Sequence, residues 1–217
     1  MKLHSVDYKD WFINQKRIPD PESEEYRSFF DFHKELCMNG CMIGDVYINP
    51  FLYWHLNVWH TEVDVIDEYG RINQKYANPL LRDNEWLVTN EIDRANKEKK
   101  GLVILGIRRF AKSVLEASYI GQGATFDENS QNIIAGLNAP DIKLITDKID
   151  KGLNFLPKAW RWQRVEDNWK NQVTLGIKTR GGERIPFSQI LIRNLDEGNN
   201  EEAIAGTKPR KLIIDEI

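Results

Sequence analysis

Apolar and polar positions recur along this chain with two different periods, and the changes of period mark the elements. In "PDPESEEYRSFFDFHKEL", Tyr26, Phe29, Phe30 and His33 fall near helical spacing behind Pro, Ser and Asp start signals. Residues 1 to about 35 therefore read as helical and polar, and the two glycines of "CMNGCMIGD" end the helix. "VYINPFLYWHLNVWHTEVDVID" is rich in β-branched and aromatic residues around an internal Asn-Pro. It predicts a short strand, a tight turn, then a helix or second strand, with "EYGRI" as a turn between two strand-like pieces. "NPLLRDNEWLVTNEIDRANKEKKG" carries acids early, lysines late and a closing glycine, which predicts a helix capped at Gly101.

From there the pattern alternates between apolar runs and amphipathic stretches. "GLVILG" is short and wholly apolar, as in a strand buried in a parallel sheet, and "KSVLEASYIG" follows as a helix ending at Gly121. "NIIAGL" predicts another buried strand, and "APDIKLITDKIDKGL" a helix with Pro140 and Asp141 in its first turn. A tryptophan-rich segment precedes two alternating strands, "NQVTLGIKT" and "ERIPFSQIL", around a turn at Gly181 and Gly182. The acidic loop "LDEGNNEEA" then leads to a final strand, "KLIIDEI". Strands alternating with helices imply an α/β fold with a largely parallel sheet. The expected division is a helical and β lead-in over 1–75 and an α/β core over 76–217.

Composition narrows the classes. The chain has 217 residues, 41% hydrophobic and 29% charged, with a formal net charge of −3. That suits a soluble globular protein and gives no overall electrostatic footprint for nucleic acid or anionic membrane, though a local basic patch is compatible with it. No apolar stretch reaches the length of a membrane helix, and "MKLHSVDYKDWF" has no apolar core of a signal peptide, so the N-terminus reads as mature cytosolic protein. Two cysteines argue against a disulfide framework and for a reducing cytoplasm.

The candidate chemistry lies between the apolar run and the helix that follows it. "GIRRFAKS" comprises Gly106, Ile107, Arg108, Arg109, Phe110, Ala111, Lys112 and Ser113. It follows the phosphate-loop pattern G-x-x-x-x-G-K-[ST], except that Ala111 replaces the second glycine. A strand feeding a helix start aims backbone N–H groups and the positive end of the helix dipole at one point, where a phosphate binds. Lys112 would reach the β- and γ-phosphates of ATP, and the Ser113 hydroxyl would ligate Mg²⁺. Arg108 stands where a guanidinium could lie along the γ-phosphate and stabilise charge in the transition state. An ordinary strand–helix junction, with both arginines in solvent, is the alternative. At the far end, "KLIIDEI" has the form of a Walker B strand: Asp215 would hold Mg²⁺ and Glu216 would polarise the attacking water.

"GIRRFAKS" with Arg108, "LIIDEI" and the upstream "LRDNEW" together resemble the ATPase domain of the large terminase subunit, the DNA-packaging motor of tailed bacteriophages. The resemblance covers roughly residues 40–217. It implies a P-loop NTPase fold and an adenine-holding segment at Leu81, Arg82, Asp83, Asn84 and Glu85. Glu85 departs from the glutamine common in the family. A carboxylate only accepts hydrogen bonds, whereas an amide can pair with both N6 and N7 of adenine, so Asn84 or the backbone would take that role. A plainly capped helix start at 82–85 remains the alternative. The implied cofactors are ATP and Mg²⁺. The implied partners are double-stranded DNA gripped through its phosphates, other terminase subunits in a ring, the small terminase subunit, and the portal of a procapsid. The implied location is the cytoplasm of an infected bacterial host. Other readings of the same motifs are a helicase-like or other ring ATPase, and a nucleotide-binding assembly module without hydrolysis. Residues 1–217 are expected to bind nucleotide yet hydrolyse it slowly, with no nuclease activity and no translocation of DNA, because strands that normally follow Walker B are not in this sequence.

Three other constellations carry weaker signals. His33, Cys37, Cys41, His55 and His60 include a Cys-x-x-x-Cys pair, but they lie in aromatic sequence suited to packing, and no structural zinc is expected. "YWHLNVW" reads as core, with a base-stacking platform for nucleic acid as the alternative. "KAWRWQR" interleaves Lys158, Arg161 and Arg164 with tryptophans, which suits either an amphipathic packing segment or stacking with phosphate tracking.

Overall fold

The computed structural model describes residues 18–104, 112–195 and 208–215. The chain forms two compact units, Met1–Lys112 and Ser113–Ile217.

The first unit is built around a short helix. α1 (Glu24–Asn39) ends on Gly40, whose φ of 74° is one that side-chain-bearing residues rarely adopt. A small hairpin follows, β1 (Cys41–Ile43) with β2 (Val46–Ile48). α2 (Pro50–Asn57) comes next, and every residue from Phe51 to Asn57 is buried. The Asn-Pro pair explains its start. The Asn49 side chain accepts a hydrogen bond from the Leu52 N–H at 2.8 Å, and Pro50 supplies a preset φ at the first helical position. α2 packs against α1 and α3 (Asp83–Glu98), with Trp54, Trp59, Leu52 and Leu56 fully enclosed. Between α2 and α3 stands an antiparallel hairpin, β3 (Thr61–Ile66) and β4 (Ile72–Ala77), turning at 67–71. The Asp67 carboxylate organises that turn by accepting from the backbone of Tyr69 and Arg71 and from the Arg71 side chain.

Asn49 also ties two helices together, because its amide donates to Asn90 Oδ1 at 3.1 Å and the residue is fully buried. Asn49→Ala removes the cap, takes the partner from the buried Leu52 N–H and leaves the half-buried Asn90 Oδ1 without this donor. The expected loss is about 2 kcal/mol, the sum of a typical cap and an unmet buried polar group. Urea unfolding of the variant read by tryptophan fluorescence measures it, and a loss below about 0.5 kcal/mol would contradict this account.

The second unit is a five-stranded sheet with helices. α4 (Lys112–Phe126) leads into β5 (Ser130–Gly136), and α5 (Ala139–Asn154) leads through a 3-10 turn (Lys158–Trp160) to β6 (Gln163–Asn168). β7 (Gln172–Lys178), β8 (Arg184–Asn194) and β9 (Lys211–Asp215) complete it, in the order β6-β7-β8-β5-β9. β5 runs parallel to both its neighbours, and β6-β7 and β7-β8 are antiparallel. The sheet is therefore mixed, which corrects the expectation of a largely parallel one. Tight hairpins force antiparallel pairing, and only strands reached by a long crossover can lie parallel. β6 escaped the sequence reading because "QRVEDN" offers one buried residue, Val165.

Two boundaries also differ from expectation. α3 closes at Lys99, which takes the left-handed conformation at φ 56°, rather than at Gly101. Residues 101–104 of "GLVILG" form no strand, and Val103 is 81% exposed. A run of apolar residues specifies burial only where a neighbouring strand exists to pair with it. α4 continues five residues past Gly121 to Phe126.

Candidate nucleotide site

α4 begins at Lys112 and Ser113, so these two side chains stand on the positive end of a fifteen-residue helix. Both are half-buried. At its other end, α4 turns back into β5 through the short connection at 127–129, where the Asn129 N–H donates to the Phe187 carbonyl. The C-terminal half of α4 is tied to the starts of β8 and β9, where Ser188 donates to the Ala124 carbonyl and Lys211 to the Tyr119 carbonyl. Asp215 is the last described residue of β9, in register with Gly136 at the end of β5, and is 7% exposed. A Cβ on Gly136 would come within 3.0 Å of the Asp215 carbonyl, so the two strand ends are closely packed there.

A hydroxyl at a helix start and a buried carboxylate at a strand end are hard oxygen donors, the type Mg²⁺ takes alongside water and phosphate oxygens. These two side chains fit the ion that the sequence motifs imply. Gly106, Ile107, Arg108, Arg109, Phe110 and Ala111 lie outside the described residues, and so does Glu216.

The candidate adenine segment belongs to the first unit, whereas Ser113 and Asp215 belong to the second. Its geometry is that of a capped helix start. Arg82 is the N-cap of α3, and the Glu85 carboxylate folds back to accept the Arg82 N–H at 3.2 Å. Glu85 is 2% exposed, and burial raises its pKa, partly offset by that hydrogen bond and by the Arg82 charge. Its carboxylate already serves the helix backbone. Asn84 is half-buried, and Arg82 is exposed.

The remaining constellations sit in packed, largely aromatic surroundings. The imidazole of His33 shares a 2.6 Å hydrogen bond with the Tyr53 hydroxyl, and His55 is fully buried, its pKa pushed down to about 3 by desolvation. Burial also raises the Cys37 and Cys41 thiols, more strongly at Cys37. Among the described residues no three His, Cys, Asp or Glu side chains gather to hold a metal ion. In "KAWRWQR", Trp160 meets Phe126 edge to face and Trp162 stacks on Phe187 with ring centroids 4.1 Å apart. The Trp162 indole donates to the Thr125 carbonyl. Arg161 donates twice to the Leu156 carbonyl, and Arg164 pairs with Asp150 while lying over the Trp169 ring. These guanidinium groups are engaged inside the unit, and the tryptophans tie α4 and β8 to the segment. A cavity of about 300 Å³ lies beside them, lined by Leu153, Leu156, Trp160 and Arg161 among others.

Sequence reasoning missed Lys211. It opens β9 and is 9% exposed, and its ammonium donates to the Tyr119 carbonyl and to Gln122 Oε1, both at 2.8 Å. In "KPRKLIIDEI" it looks like one more solvated cation, because nothing local marks it as turned inward.

No helix among the described residues is long and apolar enough to cross a membrane. Comparison with known protein families returns no match to this chain, and comparison with characterised proteins returns none either.

Proposed function

We propose that this chain is a P-loop ATPase that binds Mg-ATP with its phosphates at the N-terminus of α4. The observation that supports it best is a pair of hard oxygen donors within one compact unit, Ser113 in the first turn of α4 and the buried Asp215 at the end of β9. β5 and β9 lie parallel with their ends side by side at Gly136 and Asp215, and ligands of α/β sheets bind at such carboxyl ends. In this reading Lys112 would neutralise charge between the β- and γ-phosphates, and backbone N–H groups of 106–111 would cradle the phosphates. Ser113 and Asp215 would hold Mg²⁺, which when bound would supply electrostatic stabilisation of the transferring phosphoryl group. Arg108 would stabilise charge on the γ-phosphate and Glu216 would orient water. At the start of α3, Arg82 and Asn84 are the candidates for contact with a base, since the Glu85 carboxylate serves the helix backbone.

The finer reading is the motor subunit of a viral DNA-packaging terminase, which would couple hydrolysis to movement of double-stranded DNA into a procapsid. It rests on the combination of Arg108, the "LRDNEW" segment and "LIIDEI". Such a motor grips phosphates without reading bases. Its partners would be further copies in a ring, the small subunit and the portal, in the cytoplasm of an infected cell.

Calorimetric titration of the chain with Mg-ATP tests the core of the reading. Saturable binding at one site, weakened by EDTA, is the expected result. Absence of binding at millimolar ATP would remove the ATPase assignment and the motor reading with it.

A further inference from the structure

We propose that Lys211 is a positioning residue that clasps α4 to β9 and so fixes the separation between Ser113 and Asp215, a role that rests on the Mg-nucleotide reading above. A buried lysine is expensive unless its charge or its donors are used. Here the donors of Lys211 are used on α4. Its ammonium donates to the Tyr119 carbonyl and to Gln122 Oε1, and lies 3.9 Å from the centroid of the Tyr119 ring. The Tyr119 carbonyl belongs to the interior of α4, so Lys211 grips the helix backbone itself rather than a mobile side chain alone.

The stem of Lys211 is held just as closely. A Cβ on Gly123 would come within 2.9 Å of Lys211 Cδ and would also run into Asn132 Oδ1 on β5. Gly123 therefore leaves the gap through which the lysine passes. Ser188 adds a second tie by donating its hydroxyl to the Ala124 carbonyl, joining β8 to the end of α4. Together these contacts fasten the C-terminal half of α4 to the sheet.

The two proposed Mg²⁺ ligands lie at the other ends of the same two elements. Ser113 is about 9 Å up the helix from Tyr119 at 1.5 Å per residue, and Asp215 is about 13 Å along β9 from Lys211 at 3.3 Å per residue. A helix and a strand are stiff over such lengths, so slack at the clasp becomes slack between the ligands. Mg²⁺ demands near-ideal octahedral geometry at 2.0–2.1 Å and tolerates little slack.

The test is the ratio of ATP affinity with Mg²⁺ to that with EDTA, measured by calorimetry on the wild-type chain and on Lys211→Met, which keeps an unbranched buried side chain but loses the donors. The wild type is expected to gain at least about tenfold from Mg²⁺. Lys211→Met should keep its EDTA affinity within about twofold and lose most of the gain. A folded Lys211→Met that retains the full gain would show a merely structural lysine and overturn the proposal. If that variant does not fold, Gln122→Met, which removes one acceptor at similar volume, should cut the gain about threefold, and an unchanged gain overturns the proposal equally. A wild-type chain that binds no ATP at all defeats the ATPase reading itself, and this role falls with it. A wild type that binds ATP without any gain from Mg²⁺ overturns the positioning role together with the Mg²⁺ assignment of Ser113 and Asp215, and leaves nucleotide binding standing.

Discussion

Replacing Lys112 by alanine is expected to weaken ATP binding by about 100-fold or more while leaving the fold as stable as before. Charge-assisted hydrogen bonds contribute about 1.5–3 kcal/mol each, and the lysine of a phosphate loop makes them to two phosphates at once. The stability side of the prediction follows from position. Lys112 is the first residue of α4, where a cation opposes the positive end of the helix dipole. Removing it should shift stability by no more than a few tenths of a kcal/mol. Titration calorimetry with Mg-ATP and a thermal melt of the same preparation read the two quantities separately. Unchanged affinity would leave α4 as an ordinary helix start. Reduced affinity accompanied by a large loss of stability would assign Lys112 to the fold instead.

The second large effect is a rise in stability with pH that Lys211 alone should produce. Its pKa is lowered from 10.5 to about 7, first by burial and further by Arg210, with Asp127 opposing. The unfolded chain therefore binds a proton at this lysine that the folded chain has lost between pH 7 and 10.5. Stability rises with pH wherever the unfolded state holds more protons. The contribution of Lys211 should climb across that window and be flat below pH 7, where both states are protonated and the burial penalty is fully present. Each pKa unit corresponds to about 1.4 kcal/mol, so the climb amounts to several kcal/mol. Cysteines and tyrosines titrate in the same range, so the useful quantity is the difference between wild type and Lys211→Met. Urea unfolding at pH 6.5, 7.5, 8.5 and 9.5 should show the wild type gaining on the variant at each step. A constant difference would mean that the ammonium of Lys211 is far better solvated than its surroundings imply.

The sequence by itself determined the elements whose signal is local. Asn49 and Pro50 mark the start of α2, since a side-chain acceptor followed by a fixed φ is a helix N-terminus wherever it occurs. Pro140 and Asp141 mark α5, the glycines at 181 and 182 mark the β7–β8 hairpin, and the apolar "NIIAG" marks the central strand β5. Ser113 and Asp215 were legible as candidates because motif spacing is itself local. What only the tertiary structure decided depends on partners distant in the chain. The "GLVILG" run has strand composition, but residues 101–104 form no strand, because pairing is a property of two segments and not of one. The sheet is mixed because the antiparallel β7–β8 hairpin joins the parallel strands through β8, and β6, a strand with almost no buried face, adds antiparallel to β7. Glu85 stands in a motif position, yet its carboxylate folds back on the α3 backbone. Lys211 reads as a surface cation until β9 brings it against α4, 92 and 89 residues away from its two acceptors. Its burial and its lowered pKa arise from that contact, since desolvation is set by whatever encloses a charge and no local pattern encodes it.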